Sequence, residues 1–231
     1  MARIRPVVAI DGPAGAGKST VARRLAARLD FTLVDTGALY RSVALAAARA
    51  GVAWDDSEGV TAVAQRIVAS RSLELLPDRT KGVRVRLDGE DVSDAIRAGD
   101  MGMGASRVSA VAGVRDALFE LQRIAGEQGG VVLEGRDIGT VVFPDAEVKF
   151  FLTASPEVRA RRRHDELVQR GEQVDYADTL KEVRARDEQD TMRPIAPLRQ
   201  AEDATLIDSS ARAIDDIVEE MAEKVLAQRS R

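Results

Sequence analysis

The run Gly12-Pro13-Ala14-Gly15-Ala16-Gly17-Lys18-Ser19-Thr20 constrains this chain more than any other stretch. It follows the apolar Val7-Val8-Ala9-Ile10 and precedes a segment with Val21, Leu25 and Leu29 on one helical face. The pattern GxxxxGK[ST] carries weight only between a strand and a helix, and both flanks are here. In that setting backbone N–H groups surround a phosphate, aided by the positive end of the helix. Lys18 would reach the β- and γ-phosphates, and the Ser19 hydroxyl would sit on Mg²⁺. A glycine-rich turn that binds nothing is the competing explanation. With every fixed position filled and both flanks in place, a bound nucleoside triphosphate is the expectation.

Short apolar runs alternate with helical patterns along most of the chain. Residues 7–10, 31–34, 130–133, 148–152 and 204–207 read as strands, and 20–29, 40–50 and 215–226 as helices. That alternation predicts an α/β fold, a parallel sheet of five strands flanked by helices. Ligands then gather at the carboxyl ends of the strands. The middle breaks the rhythm. Residues 72–76 and 82–87 look like strands joined by Pro77-Asp78-Arg79-Thr80, and Val83, Val85 and Leu87 alternate with Arg84 and Arg86. Asp88-Gly89 adds a turn signal. About residues 52–106 are therefore expected to form a small inserted subdomain within a single domain, 1–231.

Arginines recur where such a sheet would end. Asp35-Thr36-Gly37 follows the second strand with Tyr40-Arg41 one turn further on, and Glu134-Gly135-Arg136-Asp137 follows the third. The planar fork of arginine suits a phosphate, because it makes two parallel hydrogen bonds. Ordinary Arg–Asp pairs at strand ends are the alternative. Arg159, Arg162 and Arg163 share a helical face at i, i+3 and i+4. Such like charges either meet an arriving anion or are balanced by Glu157, Asp165 and Glu166. Arg186, Asp190 and Arg193 lie at i, i+4 and i+7, with Pro194 ending the helix. That ladder is either structural or a platform for a polar ligand.

Composition removes other classes. A net charge of −4 speaks against nonspecific nucleic-acid binding. The chain has no cysteine for a thiolate metal site and no asparagine for the NKxD motif that reads guanine. Its one histidine, His164, leaves almost no material for Ser-His-Asp chemistry. No run of eighteen apolar residues suggests a membrane span. The start, Met1-Ala2-Arg3-Ile4-Arg5-Pro6, has no secretory pattern, so a cytoplasmic protein is expected.

Taken together, these residues resemble the nucleoside monophosphate kinases, most closely the bacterial cytidylate (CMP) kinases. The likeness runs through IDGPAGAGKST at 10–20, DTGALYR at 35–41, LDGEDVSDAIR at 87–97 and VRDALFELQR at 114–123. It continues through EGRDIGTVVFPDAEVKFFL at 134–152 and RDEQDTMRPIAPL at 186–198, so it covers essentially the whole length. The last two are more discriminating than the phosphate loop.

The resemblance implies a P-loop kinase fold, with 52–106 as a monophosphate-binding insertion and about 155–172 as an arginine-rich lid. It implies ATP-dependent phosphorylation of CMP and dCMP, with Mg²⁺ beside ATP. Gly12 through Thr20 match the ATP site, and Lys18, Arg159, Arg162 and Arg163 the catalytic cations. Arg41 and Arg136 match the arginines that hold the acceptor phosphate. Thr36, Arg115, Asp137 and Arg193 match the cytosine pocket. Arg186 and Asp190 match the pentose contacts, with Ser106 as a supporting partner. Small molecules would be the only partners of a monomeric enzyme. The chemistry agrees, since a carboxylate at Asp137 can accept from the cytosine N4 amino group while arginines donate to N3 and O2. Another P-loop small-molecule or nucleotide kinase, or a nucleotide-dependent regulatory switch, remains the alternative.

Overall fold

The computed structural model describes residues 3–78 and 82–228. In chain order the first half contains β1 (Val7–Asp11), α1 (Lys18–Leu29), β2 (Thr32–Asp35), α2 (Thr36–Arg49), α3 (Ser57–Ala69), β3 (Leu73–Asp78), β4 (Gly82–Leu87) and β5 (Glu90–Asp91). The second half contains α4 (Met101–Val108), α5 (Ala112–Gly126), β6 (Val131–Gly135), β7 (Val148–Thr153), α6 (Pro156–Gln169), α7 (Tyr176–Met192), β8 (Thr205–Asp208) and α8 (Ile214–Gln228). Five strands form a parallel sheet in the order β2-β6-β1-β7-β8. This is the α/β architecture expected from the alternation of apolar runs and helices.

Strand β1 shows why those runs are unbroken. Val8 and Ile10 pack with Leu25 of α1 and Met221 of α8, whereas Val7 and Ala9 pack with Leu133 and Phe143 on the other face. A strand covered on both sides has no solvent-facing position for a polar residue. Helix α1 buries Val21, Leu25 and Leu29, the stripe its spacing predicts. Burying each such side chain contributes about 1.5–3 kcal/mol.

Helix α2 starts four residues earlier than the expected 40–50. Asp35 ends β2 and caps the helix, its Oδ1 accepting from Ala38 N at 3.0 Å. Asp35-Thr36-Gly37 is therefore a strand end running straight into a helix, not a loop. Helix α7 ends at Met192, and Arg193 leaves it with extended backbone. Arg193 thus stands beyond the ladder of Arg186 and Asp190 rather than on it.

In the middle segment β3, β4 and β5 form an antiparallel sheet. Of the turn expected at 77–80, Arg79 and Thr80 lie outside the described residues. Val83, Val85 and Leu87 pack with Ala47 of α2, Ile67 of α3 and Leu118 of α5. The segment shares a core with the helices around it. Among the described residues no helix is long and apolar enough to cross a membrane.

Candidate active site

The carboxyl ends of the parallel strands set the site. Pairing puts Asp11 opposite Gly135 and Asp35 opposite Glu134, so the segments that follow β1, β2 and β6 leave the sheet at one level. The loop after β1 cannot carry a side chain at its first position. Gly12 has φ +148°, and a Cβ there would meet the Leu152 carbonyl oxygen at 1.9 Å. Gly17 is left-handed and opens α1, so the amino end of that helix faces the loop.

Lys18 is buried and donates to the Pro13 carbonyl at 2.7 Å. Burial, and then the neighbouring Arg136, hold its ammonium well below the usual lysine range. An arriving anion would reverse that balance, because it stabilises the charged form. Ser19 donates to Glu134 Oε2 at 3.0 Å. Burial, and then Asp35, push the Glu134 carboxyl up to about 7. Asp11 accepts from the Ile138 and Gly139 amides at 2.8 and 2.7 Å, and so fixes the turn that follows Asp137.

A second set of cations includes Arg136 and Arg186, which lie within electrostatic reach of Lys18. Arg41 Nη2 donates to Asp35 at 2.7 Å, and Arg136 Nε to Asp190 at 2.8 Å. Arg186 lies within electrostatic reach of Arg136, Arg41 and Arg163; burial, and then Arg136, lower its pKa to about 10. Among the described residues six buried side-chain polar atoms have no hydrogen-bond partner, and four of them belong to expected site residues: Arg41 Nε, Ser106 Oγ, Arg186 Nε and Arg193 Nη2. Leaving such a group unmatched costs about 1–3 kcal/mol, more when it is charged. Four on one rim are a place for a polar molecule.

Asp137 is buried between two arginines. Arg115 Nη2 donates to its Oδ2, and Arg193 Nη2 stands 3.7 Å from its Oδ1. Burial pushes the Asp137 carboxyl up, against the pull of Arg115 and Arg193. Ser109 links the arginines, its carbonyl accepting from Arg115 Nη1 at 3.4 Å and its hydroxyl from Arg193 Nη1 at 3.5 Å. Thr36 donates to the Glu134 carbonyl at 2.7 Å and joins this wall to the phosphate-loop side.

The three arginines expected on one face of α6, Arg159, Arg162 and Arg163, do not behave alike. Arg159 is buried, donates through both Nη atoms to Asp187 at 2.8 and 2.6 Å, and reaches the Ala14 carbonyl at 3.2 Å. Arg162 donates to the Gly15 carbonyl at 3.4 Å and to the Ser209 carbonyl at 2.7 Å. Arg163 is half-exposed and pairs with Glu166 at 3.2 Å. An open groove of about 950 Å³ runs between α3 and the link from α4 to α5, lined by Trp54, Glu58 and Arg107. It excludes Lys18, Arg41, Arg136 and Asp137, so the titratable groups, not this groove, mark the candidate site.

Sequence reasoning overlooked several supporting residues. Asp35 carries the signal of a helix cap, but the helix was expected only from residue 40. Asp11 and Glu134, at strand ends, carry no pattern beyond their neighbours. Ser109, Asp187 and Ser209 have partners far away in sequence and no local signal at all.

The cytidylate kinase family model matches residues 8–227. The cytidylate kinase of Syntrophotalea carbinolica is 53% identical over 224 residues, which cover 96% of this chain and 92% of that one. The cytidylate kinase of Pelotomaculum thermopropionicum is 50% identical over 224 residues, 97% of each chain. That of Pseudomonas aeruginosa is 49% identical over 214 residues, 93% of this chain and 92% of that one. Among solved structures, an uncharacterized protein from Eubacterium ventriosum superposes with a TM-score of 0.53 at 13% identity, covering 96% of this chain and 99% of that one, a likeness of fold alone. About half the residues are shared with these relatives along nearly the full length. The chain belongs to the cytidylate kinase family.

Proposed function

We propose that the chain transfers the γ-phosphoryl group of ATP to the 5′-phosphate of CMP, and of dCMP. The observation that carries this reading is the convergence of Lys18, Arg41, Arg136 and Arg186 around Glu134 and Asp190. One phosphate loop needs one lysine; the surplus of arginines calls for a second phosphorylated molecule. An oxygen of the acceptor phosphate attacks the γ-phosphorus while the bond to the β–γ bridging oxygen breaks and ADP leaves. The acceptor is already ionised, so positioning and charge neutralisation suffice without a strong base.

Gly12 through Thr20 hold the ATP phosphates, with Lys18 on the oxygens that gain charge. Arg41 and Arg136 orient the acceptor phosphate, and Arg186, Asp190 and Ser106 face the pentose. Thr36, Arg115, Asp137 and Arg193 read cytosine. Segment 52–106 serves as the monophosphate-binding insertion, and 155–172, including Arg163, as the lid. Ser19 with Glu134 offers a hydroxyl and a buried carboxylate 3.0 Å apart, hard oxygen donors that fit Mg²⁺. Bound there, the ion would offset charge on the phosphate oxygens. The same reading has the enzyme acting as a cytoplasmic monomer on small molecules alone.

A coupled assay with CMP, dCMP, UMP, AMP and dTMP tests it. CMP and dCMP should be phosphorylated far faster than the others, and UMP or dTMP turned over above CMP would overturn the cytosine assignment. ATP consumption that ignores CMP would instead point to a nucleotide-dependent switch.

A further inference from the structure

We propose that Ser209 is a positioning residue for the donor nucleotide, acting through the backbone of the loop after β1. The proposal rests on the ATP-dependent reading above. Three consecutive loop carbonyls are held from outside the loop. Ala14 O accepts from Arg159 Nη1 at 3.2 Å, Gly15 O from Arg162 Nη1 at 3.4 Å, and Ala16 O from the Ser209 hydroxyl at 2.9 Å. In a planar trans peptide the C=O and the following N–H point in opposite directions. Holding these carbonyls toward α6 and β8 turns the following N–H groups the other way, into the hollow where a phosphate would lie. The Ala16 amide makes no more than a long 3.5 Å contact to Pro13 O.

Ser209 suits this task by its own fixation. It follows the last residue of β8 and is buried. Its amide donates to the Thr153 carbonyl at 2.8 Å, tying it to the end of β7. Its hydroxyl accepts from Arg162 Nη1 at 3.2 Å while donating to Ala16 O, so one oxygen connects α6, β8 and the loop. Arg162 also holds the Ser209 carbonyl at 2.7 Å. Ser209→Ala therefore removes the link to the loop and leaves both backbone bonds of residue 209 in place.

The test is steady-state kinetics and calorimetric MgATP binding on the full chain. Ser209→Ala should raise the KM for ATP and the Kd for MgATP on the order of tenfold, the scale of one net hydrogen bond. The KM for CMP should stay within about twofold, because the acceptor side is untouched. Ser209→Thr, which keeps the hydroxyl, should restore ATP affinity. An unchanged KM for ATP, or equal rises in both KM values, would overturn the proposal by assigning Ser209 a purely structural role or none. If Ser209→Ala does not fold, Arg162→Gln must show the same split between the two KM values, and equal rises would again overturn the idea. Calorimetry reads MgATP directly, so the proposal and the CMP-kinase reading fail separately.

Discussion

Asp137 shows how much a single residue decides. Its carboxylate is buried with Arg115 on one oxygen and Arg193 near the other. In the proposed pocket cytosine would bring an amino donor to that carboxylate, whereas uracil would bring a second acceptor. Asp137→Asn replaces one acceptor oxygen by an NH₂ donor at nearly constant volume. We expect the ratio of kcat/KM for CMP over UMP to fall by on the order of a hundredfold, measured in the coupled assay. An unchanged ratio would remove Asp137 from base reading. Lys18→Ala should lower kcat on the order of 10²–10³-fold with the protein still folded, because in the proposed reaction the lysine acts on charge that develops in the transition state. At this scale the sequence was informative about the segments after β2 and β6: Arg41 lies in the helix that follows β2, Arg136 and Asp137 follow β6, and apolar runs mark both strands. It was silent for Asp187 and Ser209, whose partners Arg159 and Ala16 are brought close only by the packing of α6, α7 and β8.

Three of the four arginines of helix α6 share one face by their spacing, yet the surroundings of the helix separate their tasks. Packing against α7 buries Arg159, and Asp187 receives its fork in two hydrogen bonds. Spacing alone cannot distinguish these positions, since it contains no information about which neighbour lies over which turn. Two substitutions should therefore diverge. Arg159→Met leaves Asp187 without its partner and the Ala14 carbonyl without a donor. It should lower the unfolding free energy by about 2–4 kcal/mol in chemical denaturation and weaken MgATP binding as well. Arg163→Met removes a half-exposed pair with Glu166, worth at most about 1 kcal/mol. Its unfolding midpoint should barely move, while kcat falls on the order of a hundredfold if Arg163 closes over the transferring phosphoryl group. Equal effects on stability would show that the two arginines are equivalent after all.

The central strands of the parallel sheet were legible because a strand buried on both faces, such as β1 or β6, leaves a continuous apolar run. The shared core of α2, α3, β4 and α5 was not, because it is assembled from half-apolar helices whose contacts span the middle segment. Burial on this scale also concentrates charge under the loop, and that has a pH consequence. Asp11, at the end of the central strand, is buried, and desolvation pushes its carboxyl from 3.8 up to about 6 despite the two amides it accepts from. The folded chain thus holds the Asp11 proton more tightly than the unfolded chain does. The stabilisation from that proton is complete below about pH 3.8 and is lost as pH rises through about 6. Glu134, pushed up to about 7, acts in the same direction over a slightly higher range. Without nucleotide, the unfolding free energy should therefore decline by about 1–2 kcal/mol between about pH 5 and about pH 7 on account of Asp11. Asp11→Asn cannot ionise, and it also gives up one acceptor for the Ile138 or Gly139 amide. It should be less stable than the unaltered chain near pH 5, and the gap should narrow toward pH 7. Denaturant titrations of both proteins across that range measure the gap, and a gap that stays constant or widens with pH would show that Asp11 is ionised throughout.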